Sequence, residues 1–138
     1  MSVKRVVVDT NVVISALIAG GTPQKIIQAW IMGEFLAVMS KELRQEINTV
    51  LNRSKFIKPD KRLRALLGTL FNQALMVLPQ PIKEITFSDE NDHFLLELAV
   101  TAQATAIVTG DKELLKTKRI KGVEILNPKQ FCRKFKIK

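Results

Sequence analysis

The chain has 138 residues, 46% of them hydrophobic and 25% charged. Domains run to about 100–200 residues, so this length gives one domain, residues 1–138, with room for a real core. The composition excludes a disordered chain, and six glycines and five prolines exclude collagenous or low-complexity sequence. One cysteine, Cys132, excludes a disulfide framework and a cysteine-clustered zinc site, and it fits a reducing compartment.

No apolar run approaches the roughly 18 residues that would span a bilayer. Lys4 and Arg5 precede an apolar stretch from Val12 to Ala19, but Asp9, Thr10 and Asn11 interrupt the pattern, which argues against a signal peptide. The expectation is a cytoplasmic chain with no membrane association, in which the Asn52-Arg53-Ser54 sequon is a chance match. Lysine and arginine number 22 against 13 acids, a net charge of +9. The excess is clustered. Residues 53–64 carry Arg53, Lys55, Lys58, Lys61, Arg62 and Arg64 against Asp60, and residues 112–138 carry ten basic side chains against Glu113 and Glu124. Such clusters suit a polyanion, because each neutralised phosphate releases counterions; a merely solubilising basic surface has the same composition. Arg53, Lys55, Lys58, Lys112 and Lys116 are the candidate nucleic-acid contacts.

In chain order, Val6–Val8 reads as a short strand buried on both faces, as in a parallel sheet. A helix follows and closes at Gly20–Gly21. Thr22 and Pro23 then read as N-cap and first residue of a second helix, to about Gly33. Phe35–Met39 is the next strand, and Ser40 caps a third helix to about Asn52. A fourth helix runs from Pro59 to about Asn72, followed by a strand at Leu75–Leu78. Residues 88–104 form the clearest helix, with Leu95, Leu96, Leu98, Ala99 and Ala102 on one stripe. Ala106–Val108 and Val123–Leu126 are strands, a short helix follows Asp111, and Pro128–Phe135 is a basic tail helix. Alternating strands and helices predict a central parallel sheet covered on both faces by helices, a three-layer α/β/α domain.

In open α/β sheets, sites form beyond the carboxyl ends of the strands. That rule selects Asp9, after Val6–Val8, and Asp111, after Ala106–Val108; either alone could equally be a helix N-cap. On the third helix, at about 100° per residue, Leu43, Ile47, Val50 and Leu51 share one face, which Glu46 flanks while Glu42 lies further toward solvent. Asp92 stands before Leu95 and Leu96 on the inward side of its helix, whereas Asp89 and Glu90 suit first-turn capping. Convergence of four carboxylates would require a neutralising cation. Hard oxygen donors without His or Cys select Mg²⁺ or Mn²⁺, ions that activate water and stabilise phosphoryl charge.

Other chemistries are poorly matched. Phosphate-cradling G-x-x-x-x-G-K-[ST] and G-x-G-x-x-G loops are absent, and the second Asp of a haloacid-dehalogenase-like phosphatase is replaced by Asn11. Cys132 lies in the basic tail and His93 is the only imidazole, so nucleophilic triads find no support. His93 reads as a surface helical residue and Trp30 as core. A receiver-type phosphotransfer domain would want a Lys after the last strand, where Asn127–Pro128 stands.

The segments VVVDTNVVISALI, SKELRQEINTVLNRSKF, DENDHFLLELAVTAQATAIVTGDKELL and ILNPKQF together resemble a PIN domain, most closely the bacterial toxin-component group related to VapC-like toxins. The resemblance covers essentially the whole chain. It implies an α/β/α PIN-like fold, Mg²⁺- or Mn²⁺-dependent endoribonuclease activity on RNA, a small antitoxin partner and a homodimer. By motif position the family's acids fall on Asp9, Glu46, Asp92 and Asp111, with Asp9, Asp92 and Asp111 as metal ligands. Asn11 and Thr109 match supporting positions, and Glu42 and Asp89 compete with Glu46 and Asp92. The alternative is a PIN-like RNA-binding or scaffold protein with little turnover.

Overall fold

The computed structural model describes residues 3–55, 58, 60–83 and 90–138. Its elements run β1 (Arg5–Val8), α1 (Thr10–Ile18), α2 (Gly21–Ile31), β2 (Leu36–Met39), α3 (Lys41–Arg53), α4 (Lys61–Asn72), β3 (Leu75–Met76), α5 (Glu90–Thr101), β4 (Ala106–Val108), α6 (Lys112–Thr117), β5 (Arg119–Ile120), β6 (Val123–Leu126) and α7 (Pro128–Phe135). The described strands form a sheet in the order β3-β2-β1-β4-β6-β5. All neighbours are parallel except β5 and β6.

The apolar triplets take their central place by burial on both faces. Val6, Val7 and Val8 of β1 and Ala106, Ile107 and Val108 of β4 are all buried, in register Val6↔Ala106 to Val8↔Val108. At about 1.5–3 kcal/mol per large apolar side chain, these strands are held mainly by desolvation. Trp30, expected in the core, is buried, and its Nε1 donates to the Leu70 carbonyl at 3.1 Å, which satisfies the one polar atom the indole carries inward. Phe131 anchors α7, meeting Phe35 edge-on at 5.4 Å and stacking on Phe135 at 4.3 Å.

The expected central parallel sheet flanked by helices is borne out from β3 to β6, and what the sequence did not show is the short edge strand β5, which pairs back on β6 through the two-residue turn Lys121–Gly122, both with positive φ. Several expectations need correction. Thr22 does not cap α2. The helix begins at Gly21 with Gly20 at the N-cap, and both glycines take the positive φ that lets the chain leave α1 and re-enter a helix without an intervening loop. Pro23 still fits, because first-turn amides need no helical acceptor. The third strand is only Leu75–Met76, prolonged by one bond from Val77 N to the Met39 carbonyl. The long fifth helix ends at Thr101 rather than Ala104, and Ser88 and Asp89 lie outside the described residues. Ser40 caps α3 as expected, accepting from Leu43 N at 3.1 Å. Asp60 caps α4. His93 is less of a surface residue than expected: its Nε2 lies 3.3 Å from Oε2 of buried Glu97, the oxygen that also accepts from Ile82 N. Among the described residues, no helix is long and apolar enough to cross a membrane.

Candidate active site

Asp9 follows β1 and Asp111 follows β4, and the pairing of those strands brings the two loops together. Asp9 N donates to the Val108 carbonyl at 2.9 Å, so the ladder continues to the acid itself. Around it the two loops are tied by side chains. Thr109, fully buried, donates its hydroxyl to Asp9 Oδ2 at 2.6 Å and accepts from Asp111 N at 3.0 Å. Asn11 donates Nδ2 to the same Asp9 oxygen at 3.3 Å and accepts from Gly110 N at 3.2 Å. The two supporting residues thus orient one acid and fix the loop that carries the other.

A pocket of about 370 Å³ opens here, lined by Asp9, Thr10, Asn11, Glu46, Asp92 and Asp111 with Ile14, Ser15, Val50 and Leu95. Glu46 reaches it from α3 and is half-buried; Glu42, one turn earlier, is exposed and stands outside it. Asp92 reaches it from the first turn of α5 and is only 4% exposed. Asp89, its competitor, lies outside the described residues.

The electrostatics follow from this placement. Asp9 is 7% exposed, and burial pushes its carboxyl above the usual range; the Thr109 hydrogen bond works against that shift, and the nearby charges of Glu46 and Asp111 reinforce it. Asp111 has a second duty, because one carboxylate oxygen accepts from Glu113 N at 2.9 Å and caps α6. Thr10 was not expected from the sequence. Its Oγ1 is buried with no hydrogen-bond partner among the described residues, and Thr10 lines the acid pocket. A buried hydroxyl without a protein partner is a place for water or an ion-bound ligand. Its position between Asp9 and Asn11 was the only available signal.

The basic candidates distribute differently. Arg53 lines a cleft beside the pocket, Lys112 is exposed next to Asp111, and Lys116 pairs with Glu113 at 3.2 Å on the surface of α6. Lys55 and Lys58 are exposed.

Among the described residues, no three acids stand close enough as placed to cage one ion. The donor set still fits a hard divalent cation. Mg²⁺ keeps several waters and binds through one or two carboxylates, and this pocket is lined by carboxylates and by Thr10, whose hydroxyl has no hydrogen-bond partner among the described residues.

The profile of the PIN domain family matches residues 5–113. The chain belongs to the PIN domain family. Members of that family are generally nucleases that depend on divalent metals, so a hydrolase acting on nucleic acid is the activity class of this PIN domain. The chain is 27% identical over 143 residues to the uncharacterized protein MJ1680 of Methanocaldococcus jannaschii, covering 95% of this chain and 91% of that one. Its fold is similar to that of VapBC2 from Rickettsia felis, solved bound to a DNA fragment from their promoter. That match has TM-score 0.61 and 13% identity, covering 89% of this chain and 98% of that one. PAE2754 from Pyrobaculum aerophilum aligns over the whole of both chains with TM-score 0.59 and 16% identity.

Proposed function

We propose that this PIN domain is a Mg²⁺- or Mn²⁺-dependent endoribonuclease that hydrolyses RNA phosphodiester bonds, the toxin of a cytoplasmic toxin–antitoxin pair. The observation that carries the reading is the meeting of Asp9, Glu46, Asp92 and Asp111 in one pocket of a chain with net charge +9. A bound divalent ion would supply a water of lowered pKa and neutralise charge on the phosphoryl oxygens. Asp9, Asp92 and Asp111 would hold it. Thr109 and Asn11 keep Asp9 in one rotamer, so that carboxylate needs no reorganisation on binding. Glu46 would orient the water that attacks phosphorus, and Arg53, Lys55, Lys58, Lys112 and Lys116 would hold the flanking phosphates. The toxin assignment, with its small antitoxin and homodimer, rests on the kinship to VapC-like proteins and on the VapBC2 fold match.

The test is cleavage of RNA by purified protein in Mn²⁺, then with chelator, then by Asp9→Asn. Loss of cleavage in both controls is expected. Cleavage that persists through both excludes the metal mechanism. RNA binding that is salt-sensitive and indifferent to metal and to Asp9, with no cleavage, would instead support the RNA-binding or scaffold alternative.

A further inference from the structure

Residues 95–99 of α5 are all buried, Glu97 among them at 8% exposed. Five consecutive residues pass right round a helix at about 100° each, so α5 is covered on the side turned away from the sheet as well. The cover is the segment Pro79-Gln80-Pro81-Ile82, which leaves the sheet just after Val77 N donates to the Met39 carbonyl. Its prolines fix φ and have no N–H, so Gln80 and Ile82 hold its only amides. Side chains of α5 take both. Gln80 N donates to Thr101 Oγ1 at 2.9 Å, and Ile82 N donates to Glu97 Oε2 at 2.9 Å. The spacings match, because four residues of α-helix rise about 6 Å and two residues of a proline-type extended chain cover the same length.

This strap runs toward the N-terminal end of α5, where Asp92 reaches the acid pocket. On the helix Glu97 lies about 140° and Thr101 about 180° round from Asp92, so the strap bears on the face opposite the one that carries the acid into the site. The same Glu97 oxygen lies 3.3 Å from His93 Nε2, which ties the strap to the residue next to Asp92. We infer that Glu97 is a positioning residue for the acid pocket: by closing the strap over α5 it holds Asp92 at the depth where it meets the divalent ion. The inference rests on the metal-dependent reading above and adds to it a residue that lines no part of the pocket. Asp92 is only 4% exposed, and a helix free to lift from the sheet would carry its carboxylate away from Asp9 and Asp111.

The experiment titrates Mn²⁺ into the full chain by calorimetry and follows exchange of the Gln80 and Ile82 amides by NMR in the metal-free protein. Glu97→Gln keeps an oxygen for Ile82 N and should bind Mn²⁺ as the wild type does. Glu97→Leu removes the acceptor at similar bulk: Ile82 N should exchange freely, and Mn²⁺ affinity should fall about tenfold, the scale of lost support behind a metal ligand. Thr101→Val opens the other tie and should lower the affinity in the same direction, which keeps the test decisive if Glu97→Leu does not fold. Trp30→Phe, which weakens the fold outside the pocket, should leave Mn²⁺ affinity unchanged. Wild-type affinity in Glu97→Leu, or in Thr101→Val where Glu97→Leu does not fold, overturns the inference, and so does an equal loss in Trp30→Phe or rapid exchange of Ile82 N in the wild type. Glu97→Gln binding as weakly as Glu97→Leu would assign the effect to the charge of the carboxylate and also overturns it. Absence of Mn²⁺ binding in the wild type, or binding indifferent to Asp9→Asn, sinks the metal reading itself and this inference with it.

Discussion

Asp9 provides the sharpest quantitative test, because its burial makes the folded protein sensitive to both protons and cations. Its carboxyl is raised above the ordinary range by desolvation, with Glu46 and Asp111 adding to the shift. Between the unfolded and folded values the native state binds more protons than the unfolded one. Stability therefore falls as pH rises through that window and stays reduced at neutral pH. A cation bound to the ionised site reverses the penalty. At a free metal concentration one hundred times the dissociation constant, linkage gives about 2.7 kcal/mol. Unfolding entropy near 60 °C is about 2.1 cal/mol/K per residue, about 0.3 kcal/mol/K for 138 residues, so Tm should rise by about 9 °C. Asp9→Asn removes the charge while leaving an oxygen to accept from Thr109. It should raise the metal-free Tm at pH 7, flatten its pH dependence above the ordinary carboxylate range, and abolish most of the Mn²⁺-induced shift. Calorimetry across a Mn²⁺ series at two pH values reads all three. Equal metal shifts in the wild type and Asp9→Asn would refute the reasoning.

Asp111 separates capping from chemistry: Asp111→Asn, still a good N-cap, should keep stability within about 0.5 kcal/mol and lose cleavage. Asp111→Ala should lose cleavage and about 1 kcal/mol by urea melts. Thr109→Val removes a buried hydroxyl that donates to Asp9 and accepts from Asp111 N. It should cost about 1–3 kcal/mol and move the Asp9 titration further upward, visible by carboxyl NMR. Trp30→Phe leaves the Leu70 carbonyl without its indole donor and should cost about 1–2 kcal/mol in chemical denaturation. Each expectation fails if the variant matches the wild type in the named measurement.

What the sequence made legible is what depends on short-range pattern. Val6–Val8 and Ala106–Val108 read as doubly buried strands because unbroken β-branched and aliphatic triplets have no solvent side. The helical wheel of α3 separated Glu46 from Glu42 because a 40° difference in direction settles which side chain flanks the apolar face, and the structure sets Glu46 on the pocket wall and Glu42 outside it. The hairpin of β5 was invisible. Two residues carry no periodicity, and its turn uses Lys121 at positive φ in place of the usual Asn or Asp. The α3–α5 cleft and the contact of Glu97 with Ile82 N were equally hidden, since both depend on which helix faces are left uncovered after packing. Thr10 was given no role in the site from the sequence; burial of its hydroxyl without a hydrogen-bond partner among the described residues is what distinguishes it.

The two aspartates at strand ends began with equivalent claims to be helix caps, and their divergence explains why the site lies where it does. From β1 the chain crosses to β2 on one side, and from β4 it continues to β6 on the other, so the loops after β1 and β4 part and leave a crevice between them. Asp111 spends one oxygen on α6 and keeps the other. Asp9 occupies the N-cap position of α1 yet its side chain does not make the usual cap bond to the second or third helical amide; α1 closes on the Asp9 carbonyl through Val12 N and Val13 N. The Asp9 carboxylate turns to Thr109 and Asn11, gives up helix stabilisation of about 1 kcal/mol, and accepts burial beside two other acids. A residue that only needed to start a helix would do neither. That local sacrifice, made where the topology opens a crevice, is the physical support for the proposal that Asp9 meets a cation.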